Sequence, residues 1–131
     1  MATMFDKEWL SGFYTRWNST PEMTGPLAQA KFNSLIAFGY KNEEHPRIAF
    51  RVEDGKIVKA SLTHTGDTSA YDWDLRADPG QWEVWRKQPL TIMSLGPAVA
   101  QGKIRFKSGD YRAMIRQMQL AKPFLHMFTI L

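Results

Sequence analysis

The sequence predicts an α+β fold, in which five strands form one twisted, mainly antiparallel sheet and helices cover one face of it. Three observations carry this. The hydrophobic period is helical from Phe5 to Trp17 and becomes alternating between Phe32 and Leu62. A well-marked helix start at Asp78 and Pro79 follows a further alternating run. A basic strand, Lys103 to Lys107, then leads through a tight turn into an apolar final helix.

Each element has its own local reason. Phe5, Trp9, Leu10, Phe13 and Trp17 lie at helical spacing, with Asp6 as N-cap and Phe5 against Leu10 as a hydrophobic staple. The stretch Asn18 to Pro26 has the Gly, Pro, Ser and Thr content of a loop. Phe32, Ser34, Ile36 and Phe38 alternate imperfectly with Leu35 and Ala37, and Ile48, Phe50 and Val52 alternate with Ala49, Arg51 and Glu53. At the following turn two registers compete. A two-residue turn at Asp54-Gly55 would set Phe50 opposite Lys59, mixing charge with apolar side chains. A three-residue loop of Glu53, Asp54 and Gly55 sets Phe50 opposite Val58 and Ile48 opposite Ala60, and the pattern favours this second register.

In the strand from Ala70 to Arg76, Tyr71, Trp73 and Leu75 point one way, and Asp72, Asp74 and Arg76 point toward solvent on the other. Asp78 caps the next helix, with Pro79 first, Gln81 at the capping-box position and Trp82, Val84 and Trp85 on its apolar side. Pro89 opens another helical stretch, Leu90 to Leu95, which Pro97 bends and Gly102 ends. Ile104 and Phe106 face inward on the basic strand, and the last helix starts at Asp110. Pro123 should break that helix, leaving Phe124 to Leu131 as a separate flap.

A chain of 131 residues fits a single domain, 1–131. No apolar run approaches the roughly 18 residues of a membrane-spanning helix, and the start MATMFDKEWL lacks a secretory pattern, so a cytoplasmic location is expected. The absence of cysteine excludes disulfides, thiolate catalysis and cysteine-ligated zinc. A formal net charge of +4 suits anionic partners such as a membrane surface, yet the basic residues are dispersed and no nucleic-acid-binding signature accompanies them.

No catalytic or cofactor constellation stands out. His45, His64 and His126 have no metal-ligand spacing, and the serines lack a nucleophile-elbow context. Asp72 and Asp74 lie beside Arg76 on the outward face, where solvated charge is the simpler account than general acid–base work. What remains is an excess of flexible apolar residues. Met93, Met114, Met118 and Met127 can line a cavity for a variable apolar guest, or fill a core together with Trp82 and Trp85.

The run Gly102-Lys103-Ile104-Arg105-Phe106-Lys107-Ser108-Gly109-Asp110, followed by Ala113 and Met114, resembles the end of the sterol carrier protein type 2 family. There a short helix leads through Gly-Lys into a basic strand, a Gly-Asp or Gly-Asn turn and a Met/Leu-rich helix. The hairpin around Asp54-Gly55 and the helix start at Asp78 also match, so the resemblance spans about Ile48 to Met118. It implies an apolar tunnel between sheet and helices for a lipid: a fatty acyl chain, acyl-CoA, sterol or isoprenoid. It also implies a non-catalytic role without a cofactor. On that reading Trp82, Trp85, Leu90, Met93, Met114, Met118, Phe124 and Phe128 are the wall candidates, and Lys103, Arg105 and Arg112 would hold a phosphate or meet an anionic membrane.

Two rival readings share the same residues. A small α+β isomerase or cyclase would need a carboxylate among Asp67, Asp72 and Asp74 facing an apolar pocket beside His64. An accessory interaction module would use Phe124 to Leu131 to dock on a partner or on a second copy as a homodimer.

Overall fold

Five strands form one mixed sheet in the order β3-β2-β1-β4-β5, in a computed structural model that describes residues 4–63 and 71–131. They are β1 (Ser34–Tyr40), β2 (Ile48–Glu53), β3 (Lys56–Leu62), β4 (Trp73–Ala77) and β5 (Arg105–Ser108). All neighbours are antiparallel except β1 and β4, which run parallel with Ile36 opposite Trp73 and Tyr40 opposite Ala77. The helices are α1 (Lys7–Asn18), α2 (Pro21–Gln29), α3 (Pro79–Lys87), α4 (Ile92–Ala100), α5 (Tyr111–Ile115) and α6 (Met118–His126), with a 3₁₀ turn at Met127–Ile130. The predicted α+β class and five-stranded sheet are therefore present.

The first helix begins where its cap is encoded. Asp6 Oδ1 accepts from the Trp9 amide at 2.7 Å, and Trp9, Leu10, Phe13 and Trp17 are buried on the sheet side. The expected loop after it is instead α2. Pro21 occupies the first turn, where its missing amide is no loss, and Met23 and Leu27 supply a buried stripe that outweighs the turn-forming composition.

The hairpin adopts the turn that the pattern disfavoured. Asp54 (φ 49°) and Gly55 (φ 84°) are both left-handed, as a two-residue turn of twisted strands requires. Val52 lies opposite Ile57, the register shifts at Arg51, and from there Arg51 pairs with Lys59 and Phe50 with Ala60. Val58 is the extra residue of a bulge and is exposed. The bulge does what a longer loop was expected to do: it keeps Phe50 off Lys59 and leaves Ile48, Phe50 and Val52 opposite Leu62, Ala60 and Ile57.

The outer face at β4 is covered, contrary to expectation. Asp74 and Arg76 are 6% and 1% exposed. Arg76 Nε donates to Asp74 Oδ1 at 2.6 Å, and its Nη1 reaches the Glu43 carbonyl at 2.7 Å, so the connection between β1 and β2 folds over this face. Asp72 remains exposed and accepts from the Leu35 amide at 2.8 Å.

The carboxyl-terminal segment also differs. Asp110 Oδ1 caps α5, but the chain breaks at Arg116 and Gln117, and Pro123 lies within α6. Phe124, Leu125, Met127, Phe128 and Leu131 are all buried. Far from being a separate flap, this segment is core. A proline inside a short helix removes one amide donor, and the burial of two phenylalanines outweighs that loss.

Candidate functional site

An aromatic layer fills the space between the sheet and its helices. Phe38 on β1 and Phe50 on β2 lie edge-on to Phe13 of α1 at 5.9 and 5.4 Å, and Trp17 meets Phe50 at 5.5 Å. From the other side α3 brings Trp82 to 5.3 Å from Phe38 and Trp85 to 5.4 Å from Trp82. The carboxyl-terminal segment closes the layer. Phe128 lies over Trp82 and against Trp85, while Phe124 packs on Trp73 of β4 at 4.8 Å and on Phe32 at 6.3 Å.

Polar atoms in this layer are tied to backbone, so the rings cannot rotate freely. Trp82 Nε1 donates to the Gly39 carbonyl at 2.9 Å, Trp17 Nε1 to the Gly55 carbonyl at 2.9 Å and Trp9 Nε1 to the Leu131 carbonyl at 3.1 Å. Arg16 Nε anchors the Ile130 carbonyl at 2.6 Å. Burial, aided by the neighbouring charge of Arg86, lowers the pKa of this guanidinium.

Among the predicted wall residues, Trp82, Trp85, Leu90, Met114, Phe124 and Phe128 are buried, and the structure joins Trp82, Trp85, Phe124 and Phe128 to the sheet through ring contacts. Met93 is not among them: it is 84% exposed. The side chain of Met118 lies outside the described residues. Much of the layer comes from Trp9, Phe13 and Trp17 of α1, whose helical spacing was legible in the sequence but carried no motif placing them in this layer.

Open clefts border this layer. One, about 720 Å³, lies between α2 and α6 and is lined by Pro26 and Ala30 on one side and Gln119, Lys122, Pro123 and His126 on the other. Leu27 of α2 and Ala121 and Phe124 of α6 are buried. A second cleft, about 380 Å³, runs between α3 and α4 and includes Trp85, Leu90 and Lys103. A third, about 590 Å³, places Arg105 with Lys41, Val99 and Tyr111. Lys103 and Arg105 thus face different clefts, and Arg112 rests on the Tyr111 ring, 5.8 Å from its centroid, so the three do not converge on one phosphate.

Asp72 and Asp74 are held by Leu35 and Arg76, away from the aromatic layer. His64 and Asp67 lie outside the described residues. Among the described residues no group of acidic or histidine side chains could hold a metal ion. The apolar surface that a tail-mediated homodimer would use is buried in the chain's own core.

No protein-family sequence model matches the chain, and no curated protein sequence is significantly similar to it. Solved structures do match. The chain superposes on a crystal structure of sterol carrier protein 2 with a TM-score of 0.71 and 15% identity, over 97% of this chain and 95% of that one. A conserved hypothetical protein from Thermus thermophilus, described as possibly a sterol carrier protein, matches at a TM-score of 0.64 and 16% identity, covering 95% and 87%. The UbiJ-SCP2 ubiquinone synthesis protein matches at a TM-score of 0.56 and 13% identity, covering 91% and 88%. At such identities the likeness establishes the fold.

Proposed function

From a chain that has the sterol carrier protein 2 fold over nearly its whole length, we propose a non-catalytic role: binding and shielding an apolar lipid between the sheet and the helices. The observation that supports this is the aromatic layer, capped by α6, with a cleft beside it between α2 and α6. The cleft's volume lies within the roughly 300–1,000 Å³ typical of small-molecule sites. The guest enters between α2 and α6, displaces part of the packing around Phe124 and rests against Trp82, Trp85, Met114 and Phe128. A single acyl chain, an acyl-CoA tail, a sterol or an isoprenoid has the required apolar character.

The energetics permit both capture and release. Burying about a dozen methylenes gains roughly 0.8 kcal/mol each, or about 10 kcal/mol in all. Association and ordering of the side chains remove several kcal/mol, leaving an affinity on the order of micromolar. Tryptophans in the wall supply the test. Organic extraction of the purified protein should release a co-purified lipid identifiable by mass spectrometry, and titration of delipidated protein with a long-chain fatty acid should shift tryptophan emission saturably. If no lipid is extracted and emission is unchanged across fatty acid, sterol and isoprenoid probes, the proposal fails.

A further inference from the structure

We propose that α4 is a membrane-docking ridge, which seats the protein on an anionic lipid bilayer. The helix is apolar or small all round: Ile92, Met93, Leu95, Gly96, Pro97, Ala98, Val99 and Ala100 surround a single serine, without any charge. A helix of that character belongs inside a core or in lipid. Here Leu95 and Ala98 face the protein, and the opposite side, Met93, Gly96, Pro97 and Ala100, is exposed. Met93 projects furthest, at 84% exposure, and the exposed Val84 of α3 lies across the adjoining cleft.

Charge complementarity selects the occupant. Clefts flank α4 on both sides, one containing Lys103 and the other Lys41 and Arg105. Lys87 lies at the end of the preceding helix. Asp110 faces the cleft that contains Lys41 and Arg105, where its carboxylate is engaged in capping α5, and Asp78 lies 3.8 Å from Lys41. Lys87, Lys103 and Arg105 form no ion pair among the described residues. An apolar ridge with cations beside it matches the profile of a bilayer interface, where methionine enters the acyl boundary and lysine and arginine meet the headgroups. A second copy would bring like charges together in a two-fold contact, and the exposed face has no aromatic anchor of the kind that protein partners use.

The inference deepens the lipid-binding proposal, since a carried lipid must pass between protein and bilayer, but its test is independent of any guest. The chain contains no cysteine, so Met93→Cys provides a single site for an environment-sensitive fluorophore. With phosphatidylcholine–phosphatidylserine vesicles the label should shift to the blue and be quenched by brominated acyl chains. With phosphatidylcholine alone, or at high salt, it should not. In vesicle flotation, Met93→Asp should abolish binding, and Lys103→Gln with Arg105→Gln should weaken it about twenty-five-fold, at about fivefold per charge. Lys56→Gln with Lys59→Gln on the opposite sheet edge removes the same net charge and should leave binding unchanged. A label that stays in water on anionic vesicles, or equal losses from both charge pairs, would overturn the proposal. Loss of fatty-acid binding with vesicle docking intact would instead overturn the carrier role alone.

Discussion

Arg76 shows how one side chain can organise a region that periodicity assigns to solvent. Its guanidinium spans Asp74 and the Tyr40, Glu43 and Glu44 carbonyls, so that the connection between β1 and β2 is drawn down over β4. Breaking a buried pair leaves an uncompensated charge. Asp74→Ala should therefore lower unfolding free energy by about 3 kcal/mol in urea melts, and adding Arg76→Met should cost less than the sum of the single changes. Glu43, in the same connection, binds Arg47 through two 2.6 Å hydrogen bonds, which hold its carboxyl below the usual glutamate range against a smaller opposing effect of desolvation. A lowered pKa means stability present above the unfolded range and lost as pH falls through the folded value. Relative to Glu43→Gln, the wild type should be more stable at neutral pH by no more than about 1 kcal/mol, because the pair is half exposed, and the difference should vanish on acidification. A difference that grows on acidification would contradict this sign.

Among the helices and strands, side-chain type and spacing identified most segments but not what each packs against. The Asp54-Gly55 turn joins β2 to β3, and a Cβ at Gly55 would press on the backbone of α2 at Thr24 and Ala28, so the hairpin tip and α2 are fitted to each other. Asn18, at the end of α1, exchanges two 2.9 Å hydrogen bonds with the backbone of Ile57 and thereby occupies part of the free β3 edge. Neither contact leaves a trace in local pattern. The contrast between α4 and α6 is sharper, because both carry large apolar side chains and both contain an interior proline. Phe124→Ala on α6 should cost about 3–5 kcal/mol, since the ring is fully buried against Trp73 and Phe32. Met93→Ser on α4 should change stability by less than about 0.5 kcal/mol. Thermal and urea unfolding of the two variants side by side would check this, and equal losses would mean that α4 is packed as α6 is.

Over the entire chain, one apolar layer receives side chains from the first helix and from the last segment, and the five tryptophans all belong to it. Such a layer should unfold as a unit, so tryptophan emission and far-ultraviolet circular dichroism should give one urea midpoint; separate midpoints would divide α1 from the rest. Residue order alone was enough for the α+β class, the five strands, the capped start at Asp6, the helix start at Asp110, and the basic strand through which the sterol-carrier resemblance was legible. These are properties of neighbouring residues, and periodicity and capping report them directly. The folded arrangement was needed to reveal that Asp74 and Arg76 lie under a loop, that Phe124 to Leu131 is core, that Met93 faces outward and that a bulge at Val58 corrects the hairpin. An apolar stripe says that a face must be covered, whereas the cover comes from chain distant in sequence, so its identity depends on which surfaces the completed sheet brings together.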